Sequence, residues 1–202
     1  MLVGQFDFTG TRDSVAITDH YDVEIQVPAT FPHDLPQAFE RGGRIASTFH
    51  TNPDDGSMCL GSPLRLAQRV AETPTLTGYA DNCLVPYLYA HSYLKLHGTL
   101  PWDDLPHGDA GILSDYGKMF RARNADEVIA FLALLSLRRR VANKRPCPCR
   151  SGRRLGACHA RTISRYRRVW SRRKFRSEHP RMKNAALEHS NPQSRFPPVA
   201  TS

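Results

Sequence analysis

Three cysteines and a histidine fall within thirteen residues, Cys147-Pro148-Cys149 and Cys158-His159, and this spacing restricts the chain more than any other feature. Cys147 and Cys149 flank one proline, and Cys158 and His159 are adjacent, so a single tight turn can bring all four donors to a point. Three thiolates and one imidazole suit tetrahedral zinc and leave no position open for catalysis. The segment is too short to bury a core of its own, so the metal is expected to fold it.

The 202-residue chain is 40% hydrophobic and 23% charged, which fits a globular protein with one real core or one core plus a small module. Its net charge of +9 hides a division. Residues 1–137 carry 9 Lys/Arg against 17 Asp/Glu, a balance of −8, and residues 138–202 carry 19 against 2, a balance of +17. An acidic region followed by a strongly basic one points to an anionic partner for the basic part: nucleic acid, an acidic protein, or the acidic region itself. The opening MLVGQFDFTG has no basic stretch followed by an apolar one, so no signal peptide is expected. The apolar run Val128–Leu135 is too short to cross a bilayer. A cytoplasmic protein with reduced thiols and no membrane partner is the expectation.

Residues 2–8 alternate loosely and Tyr21, Val23, Ile25 and Val27 alternate well, which predicts two strands. Prolines 28, 32 and 36 then impose an extended loop. A further short strand is expected near Arg44–Phe49, and residues 50–63 read as irregular. A helix is predicted over Tyr79–Leu96, ended by Gly98, and a second from the N-cap Asn124 to about Val141, buried through Phe131–Leu137. Residues 101–111 read as a turn-rich loop, 161–176 as a basic helix, and the chain from about Pro180 as disordered. Strands first and helices afterwards make an α+β fold rather than alternating βαβ units.

Cys59 stands apart from the metal-like cysteines, beside the turn signal Asp54-Asp55-Gly56-Ser57. A thiolate is a strong nucleophile even when partly ionised, and its thioester stays reactive toward amines. Attack on that thioester develops an oxyanion, which the amide of Asn52, seven residues upstream, is placed to stabilise. His50 is expected to brace the loop, and His107 and Asp109, in the later loop, to orient or deprotonate an incoming amine. The bland alternatives are a packed thiol at Cys59, a turn former at Asn52 and a solvated His107. Cys83, among apolar helix residues, reads as core.

Three segments carry a resemblance: the proline-rich VPATFPHDLP after a strand, His50-Thr51-Asn52, and Gly56-Ser57-Met58-Cys59-Leu60. Together they resemble the ubiquitin-conjugating enzymes, whose strand runs into F-P-x-x-Y-P-x-x-P-P and whose His-Pro-Asn motif precedes the active cysteine in G-x-I-C-L. The motifs cover about residues 2–63, and Thr51 stands where the family has proline. Further on, GTLPWDDLPHGDAGI resembles a segment of bacterial ubiquitin-conjugating-like proteins found in antiphage operons of the CBASS type with cGAS-like nucleotidyltransferases. The resemblance implies a ubiquitin-conjugating-like fold, a small antiparallel sheet plus helices. It also implies a transferase in antiviral defence whose Cys59 takes the C-terminus of such a nucleotidyltransferase and passes it to an amine.

The C-x-C-x8-C-H turn, with its Ser151-Gly152 and the basic pair Arg153-Arg154, resembles the SEC-C motif found at the ends of many bacterial proteins and of the SecA ATPase. Arg150 stands where that motif usually has glycine, and strains the turn if the position needs a positive φ. The domains expected are a conjugating-like domain over residues 1–142, a SEC-C-like zinc motif over 143–162 and a basic, partly disordered tail over 163–202. In the tail, arginines interleave with Tyr166, Trp170 and Phe175. Either the rings stack on the bases of a nucleic acid, or they pack a helix onto the protein. The rival to the transferase is therefore a non-catalytic zinc adaptor that binds nucleic acid or an acidic protein through its basic region.

Overall fold

The computed structural model describes residues 1–102 and 108–190, with side chains through residue 188. The fold is α+β, with two compact units, Met1–Asp104 and Leu105–Ser202. The domain boundary expected after residue 142 falls inside the second unit, at the end of a short helix.

The first unit is built on an antiparallel sheet, β1 (Leu2–Arg12), β2 (Val15–Gln26) and β3 (Gln37–Glu40), in that order. Asp13 and Ser14 both take positive φ, 45° and 68°, and the two-residue turn they form matches the twist of the paired strands. The alternation in β2 is realised: Ile17, Tyr21, Val23 and Ile25 are buried. The third strand lies at Gln37–Glu40 and not over Arg44–Phe49, which is bends and turns. Arg44 is drawn instead into an ion pair with Asp19 at 2.9 Å and lies over the Tyr21 ring at 4.1 Å.

Helix α1 (Pro63–Glu72) was not expected; Ser62 precedes it in extended conformation and Pro63 occupies its first turn, where a missing N–H costs nothing. Helix α2 (Leu76–Tyr79), a π-type turn (Ala80–Leu84) and α3 (Val85–His97) form one run, ended by Gly98 at φ 72°. The widened turn has a cause. Pro86 has no N–H for the Asn82 carbonyl four residues back, and that carbonyl accepts from Arg69 at 3.1 Å instead. The α3 face packs on the sheet through Tyr87 and Leu88, with Cys83 fully buried beside them. Gly10 of β1 admits Tyr89, since a Cβ there would lie 2.8 Å from the ring. A buried polar chain crosses this core: Tyr21 Oη meets His91 Nδ1 at 2.7 Å and Ser92 Oγ at 2.8 Å, and Ser92 donates to Asp19 at 2.7 Å.

The second unit packs α4 (Gly108–Phe120), α5 (Ala125–Ser136) and α8 (Arg172–Ser190), with short helices α6 (Arg139–Ala142) and α7 (Ala160–Ser164) between α5 and α8. Helix α4 begins at Gly108, inside the loop expected over residues 101–111. Asn124 caps α5 as expected, accepting from the Glu127 N–H at 3.0 Å. Helix α5 stops at Ser136 because Leu137 turns extended, at ψ 162°. Its last carbonyls are not left bare: the Arg167 guanidinium donates to Leu134, Leu135 and Leu137 at 2.8–2.9 Å. The aromatic residues of the basic segment are core, with Tyr166, Trp170 and Phe175 all buried. Residues 180–190 are helical, with Pro180 inside α8, where a disordered end was expected. No helix among the described residues is long and apolar enough to cross a membrane.

Candidate functional site

Cys59 is at the end of a tight hairpin over residues 50–59. Its N–H donates to the His50 carbonyl at 2.6 Å, Thr51 bridges Met58, and the Asn52 N–H donates to the Ser57 carbonyl at 2.8 Å. The Asp54-Asp55-Gly56 tip closes because Gly56 takes φ 74° and Asp55 accepts from both the N–H and the hydroxyl of Ser57, at 2.9 and 2.6 Å. The hairpin is stitched to β3 by Met58 N–H donating to the Ala38 carbonyl at 2.7 Å, with the Met58 side chain buried. This fixes Cys59 relative to the sheet, and alternation then turns Cys59 outward: Met58 is 5% exposed and Cys59 is exposed.

Of the five cysteines, Cys59 is the one that is exposed; Cys83 is buried and the other three belong to the cluster below. Although exposed, the Cys59 thiol is surrounded closely enough that desolvation pushes its pKa up, opposed by the Gly61 N–H. It rests as a thiol at neutral pH. Burial pushes the Cys83 thiol up to about 11, which keeps it protonated.

The residues read as Cys59's helpers are distributed as follows. Asn52 Nδ2 donates to Ser57 Oγ at 2.8 Å, so one amide hydrogen is spent on holding the hairpin. His50 takes φ 39°, and its ring meets Phe49 edge-on at 5.0 Å. Asp109 belongs to the second unit, where it pairs with Arg181 at 2.5 Å. His107 lies outside the described residues.

Tyr87 was not singled out from sequence. Its hydroxyl donates to the Phe49 carbonyl at 2.9 Å, and desolvation first, then the nearby Thr51 and Cys59, perturb its ionisation. It braces the base of the Cys59 hairpin from α3. Its helical spacing with Leu84 and Leu88 marked it only as core.

In the second unit, the donor atoms of Cys147, Cys149, Cys158 and His159 all lie within 4.8 Å of one another, close enough to bind one metal ion. Cys149 Sγ is 3.4 Å from Cys147 and 3.5 Å from Cys158, and His159 Nδ1 is 3.2 Å from both Cys147 and Cys158. A short hairpin holds the first two: Pro146 bridges Arg154, the Cys147 N–H donates to the Arg153 carbonyl at 2.8 Å, and the Arg150 N–H to the Cys147 carbonyl at 3.2 Å. Arg150 takes φ 56°, the left-handed conformation that glycine adopts without strain.

The cluster is joined to the helices rather than hung from them. The Cys149 carbonyl accepts from Arg123 at 2.6 Å, the His159 ring lies 5.4 Å from Phe131, and the Gly156 N–H donates to the Asn143 carbonyl at 3.0 Å. Hydrogen bonds, the Ser151 hydroxyl foremost, bring the Cys149 thiol down to about 6, and burial pushes Cys147 up to about 12.

No protein-family model, no curated protein and no solved structure matches this chain significantly.

Proposed function

We propose that the chain is a ubiquitin-conjugating-like acyltransferase whose nucleophile is Cys59. The observation that carries this reading is that Cys59 is the exposed thiol, held at a hairpin end fastened to the sheet, while every other cysteine is buried or clustered. In the reaction, Cys59 gives up its thiol proton to solvent, and its thiolate attacks the carbonyl carbon of a protein C-terminus delivered as a thioester by an activating protein. A new C–S bond forms at Cys59 and the carrier's thiolate leaves. An acceptor amine then attacks the same carbon, the C–N bond forms, the Cys59 C–S bond breaks, and the amine proton passes to solvent or a base. Following the resemblance, the conjugated chain is a cGAS-like nucleotidyltransferase in antiphage defence. Asn52 retains a second amide hydrogen for the oxyanion, and Tyr87 and His50 hold the hairpin.

The reading extends to zinc at Cys147, Cys149, Cys158 and His159. A regular tetrahedron with Zn–S of about 2.3 Å sets sulfurs about 3.8 Å apart. The sulfur separations of 3.4 and 3.5 Å are a slightly contracted version of that figure. Soft thiolates with one imidazole favour zinc over oxygen-seeking cations. Four protein donors fill the tetrahedron, so the metal's part is structural.

Co-expression with the proposed partner and its activating protein tests the transfer reading, with intact-mass analysis of the conjugate under reducing and non-reducing conditions. A thiol-labile, Cys59-dependent adduct supports it. A second reading, a zinc-organised adaptor without catalysis, is favoured by the upward displacement of the Cys59 thiol and by the use of Asn52 in the hairpin. It calls for partner binding that survives Cys59→Ala unchanged.

A further inference from the structure

The second unit contains a cavity of about 660 Å³ that the Cys59 chemistry does not use and that borders the metal cluster, with Cys147 in its wall. Its apolar part comes from Ala133, Leu134 and Leu137, at and just past the end of α5, together with Pro148 of the metal-binding hairpin. Around it stand Arg145 and Arg150 of that hairpin and Arg176 and His179, three residues apart on α8. The three arginines are exposed, and among the described lining residues there is no aspartate or glutamate.

We propose that this cavity is a docking site for an acidic protein segment carrying an aliphatic side chain, which seats in the apolar part while its neighbouring carboxylates meet the arginines. The charge is complementary: planar guanidinium groups donate to both oxygens of a carboxylate, and three of them without an acid among them leave a local excess of positive charge. Nucleic acid fits less well. Binding of single strands rests on exposed rings that stack with bases. Among its described lining residues the cavity has no Phe, Tyr or Trp, its single ring being His179, and the rings of the basic segment, Tyr166, Trp170 and Phe175, are buried. An aliphatic floor ringed by arginines selects an apolar residue between acids. The inference is independent of Cys59 and holds for the transferase and the adaptor alike. Two of its arginines and Pro148 are positioned by the metal-binding hairpin, so the site needs that hairpin in place.

Fluorescence anisotropy of the full-length, metal-loaded chain tests this with three labelled probes. They are an acidic peptide with a central leucine, the same peptide with serine in its place, and a single-stranded oligonucleotide of equal charge. The leucine peptide is expected to bind most tightly. Arg176→Glu should weaken it by at least about tenfold, because a like charge then faces the carboxylates. Ala133→Trp, which fills the cavity, should remove the preference for leucine over serine. Arg176 is exposed on α8, so if Ala133→Trp fails to fold, Arg176→Glu and the peptide comparison on the unmodified chain still decide the matter. Equal binding of the serine peptide, tighter binding of the oligonucleotide, or indifference to Arg176→Glu would each overturn the proposal.

Discussion

Cys59 lies directly across a hairpin from His50, its N–H donating to the His50 carbonyl at 2.6 Å. The two residues that the sequence separates by a turn of acids and glycine are thus backbone partners, and main-chain bonds to His50 and, through Met58, to Ala38 set the position of the thiol. What the hairpin side chains add is separable by mutation.

Asn52→Ala removes an amide that holds Ser57 at 2.8 Å and that also supplies the proposed oxyanion donor. Transfer from Cys59 to an amine is expected to slow by about 10²–10³. Ser57→Ala removes the same hairpin bond and leaves the amide in place, so it should slow transfer far less. Single-turnover kinetics of the two variants check this; equal losses would assign Asn52 to the hairpin alone.

Alkylation reports the state of the thiol. Because desolvation raises the Cys59 pKa, iodoacetamide should label it more slowly at neutral pH than an unperturbed cysteine of pKa about 8.5. Labelling should accelerate as pH rises above that value. Peptide mapping after timed labelling from neutral to alkaline pH gives the profile, and a fast, pH-independent reaction at neutrality would contradict it.

Asp19 gives the first unit an acid limit. Burial alone would raise its carboxyl pKa, but the Arg44 and Ser92 hydrogen bonds and the His20 N–H hold it well below the usual range. The stabilisation is therefore complete above the unfolded value of about 3.9 and is lost as pH falls below it. Asp19→Asn should lower the melting temperature near neutrality and make less difference in acid. Thermal unfolding at several pH values measures it; an equal loss at every pH would remove Asp19 from the account.

How much of this was legible in sequence depended on whether the signal was local. The β2 alternation, the Asn124 cap, the Gly98 stop and the four-donor cluster are local patterns, and each appears in the structure. Helix α1 was missed because Pro63–Glu72 follows a stretch read as irregular, with Pro63 serving as a first-turn residue rather than a breaker. The third strand was misplaced because Ala38 and Phe39 sit just beyond a proline cluster, while Arg44–Phe49 looked more strand-like and is held by Arg44 instead. The interleaved arginines and aromatic residues of 161–176 left two readings open. The rings turn inward, and Arg167 is spent on the carbonyls at the end of α5, a pairing across some thirty residues that no local pattern encodes. The Asn52–Ser57 and Tyr87–Phe49 bonds were likewise invisible, since they depend on the hairpin and on α3 meeting it.

The metal cluster should hold one zinc per chain, measured by elemental analysis of protein purified without chelator. Chelation should lower the melting transition of the second unit, whose helices the cluster joins through Arg123 and Phe131, and leave that of the first unit unchanged. Arg150→Gly should raise stability by up to about 1 kcal/mol by relieving a left-handed arginine, less the entropy of an added glycine. Zinc-free protein, or destabilisation by Arg150→Gly, would contradict this part of the account.

The most direct measurement is the intact mass of the chain co-expressed with the nucleotidyltransferase proposed as its partner and with the activating protein that delivers that partner's C-terminus as a thioester. The account predicts an adduct equal to the sum of the two chains less one water, released by excess thiol from the unmodified protein. Cys59→Ser should hold the same adduct as a thiol-resistant ester, and Cys59→Ala should hold none. An adduct that persists at full yield in Cys59→Ala, or its absence from both the unmodified protein and Cys59→Ser, would contradict Cys59 as the nucleophile.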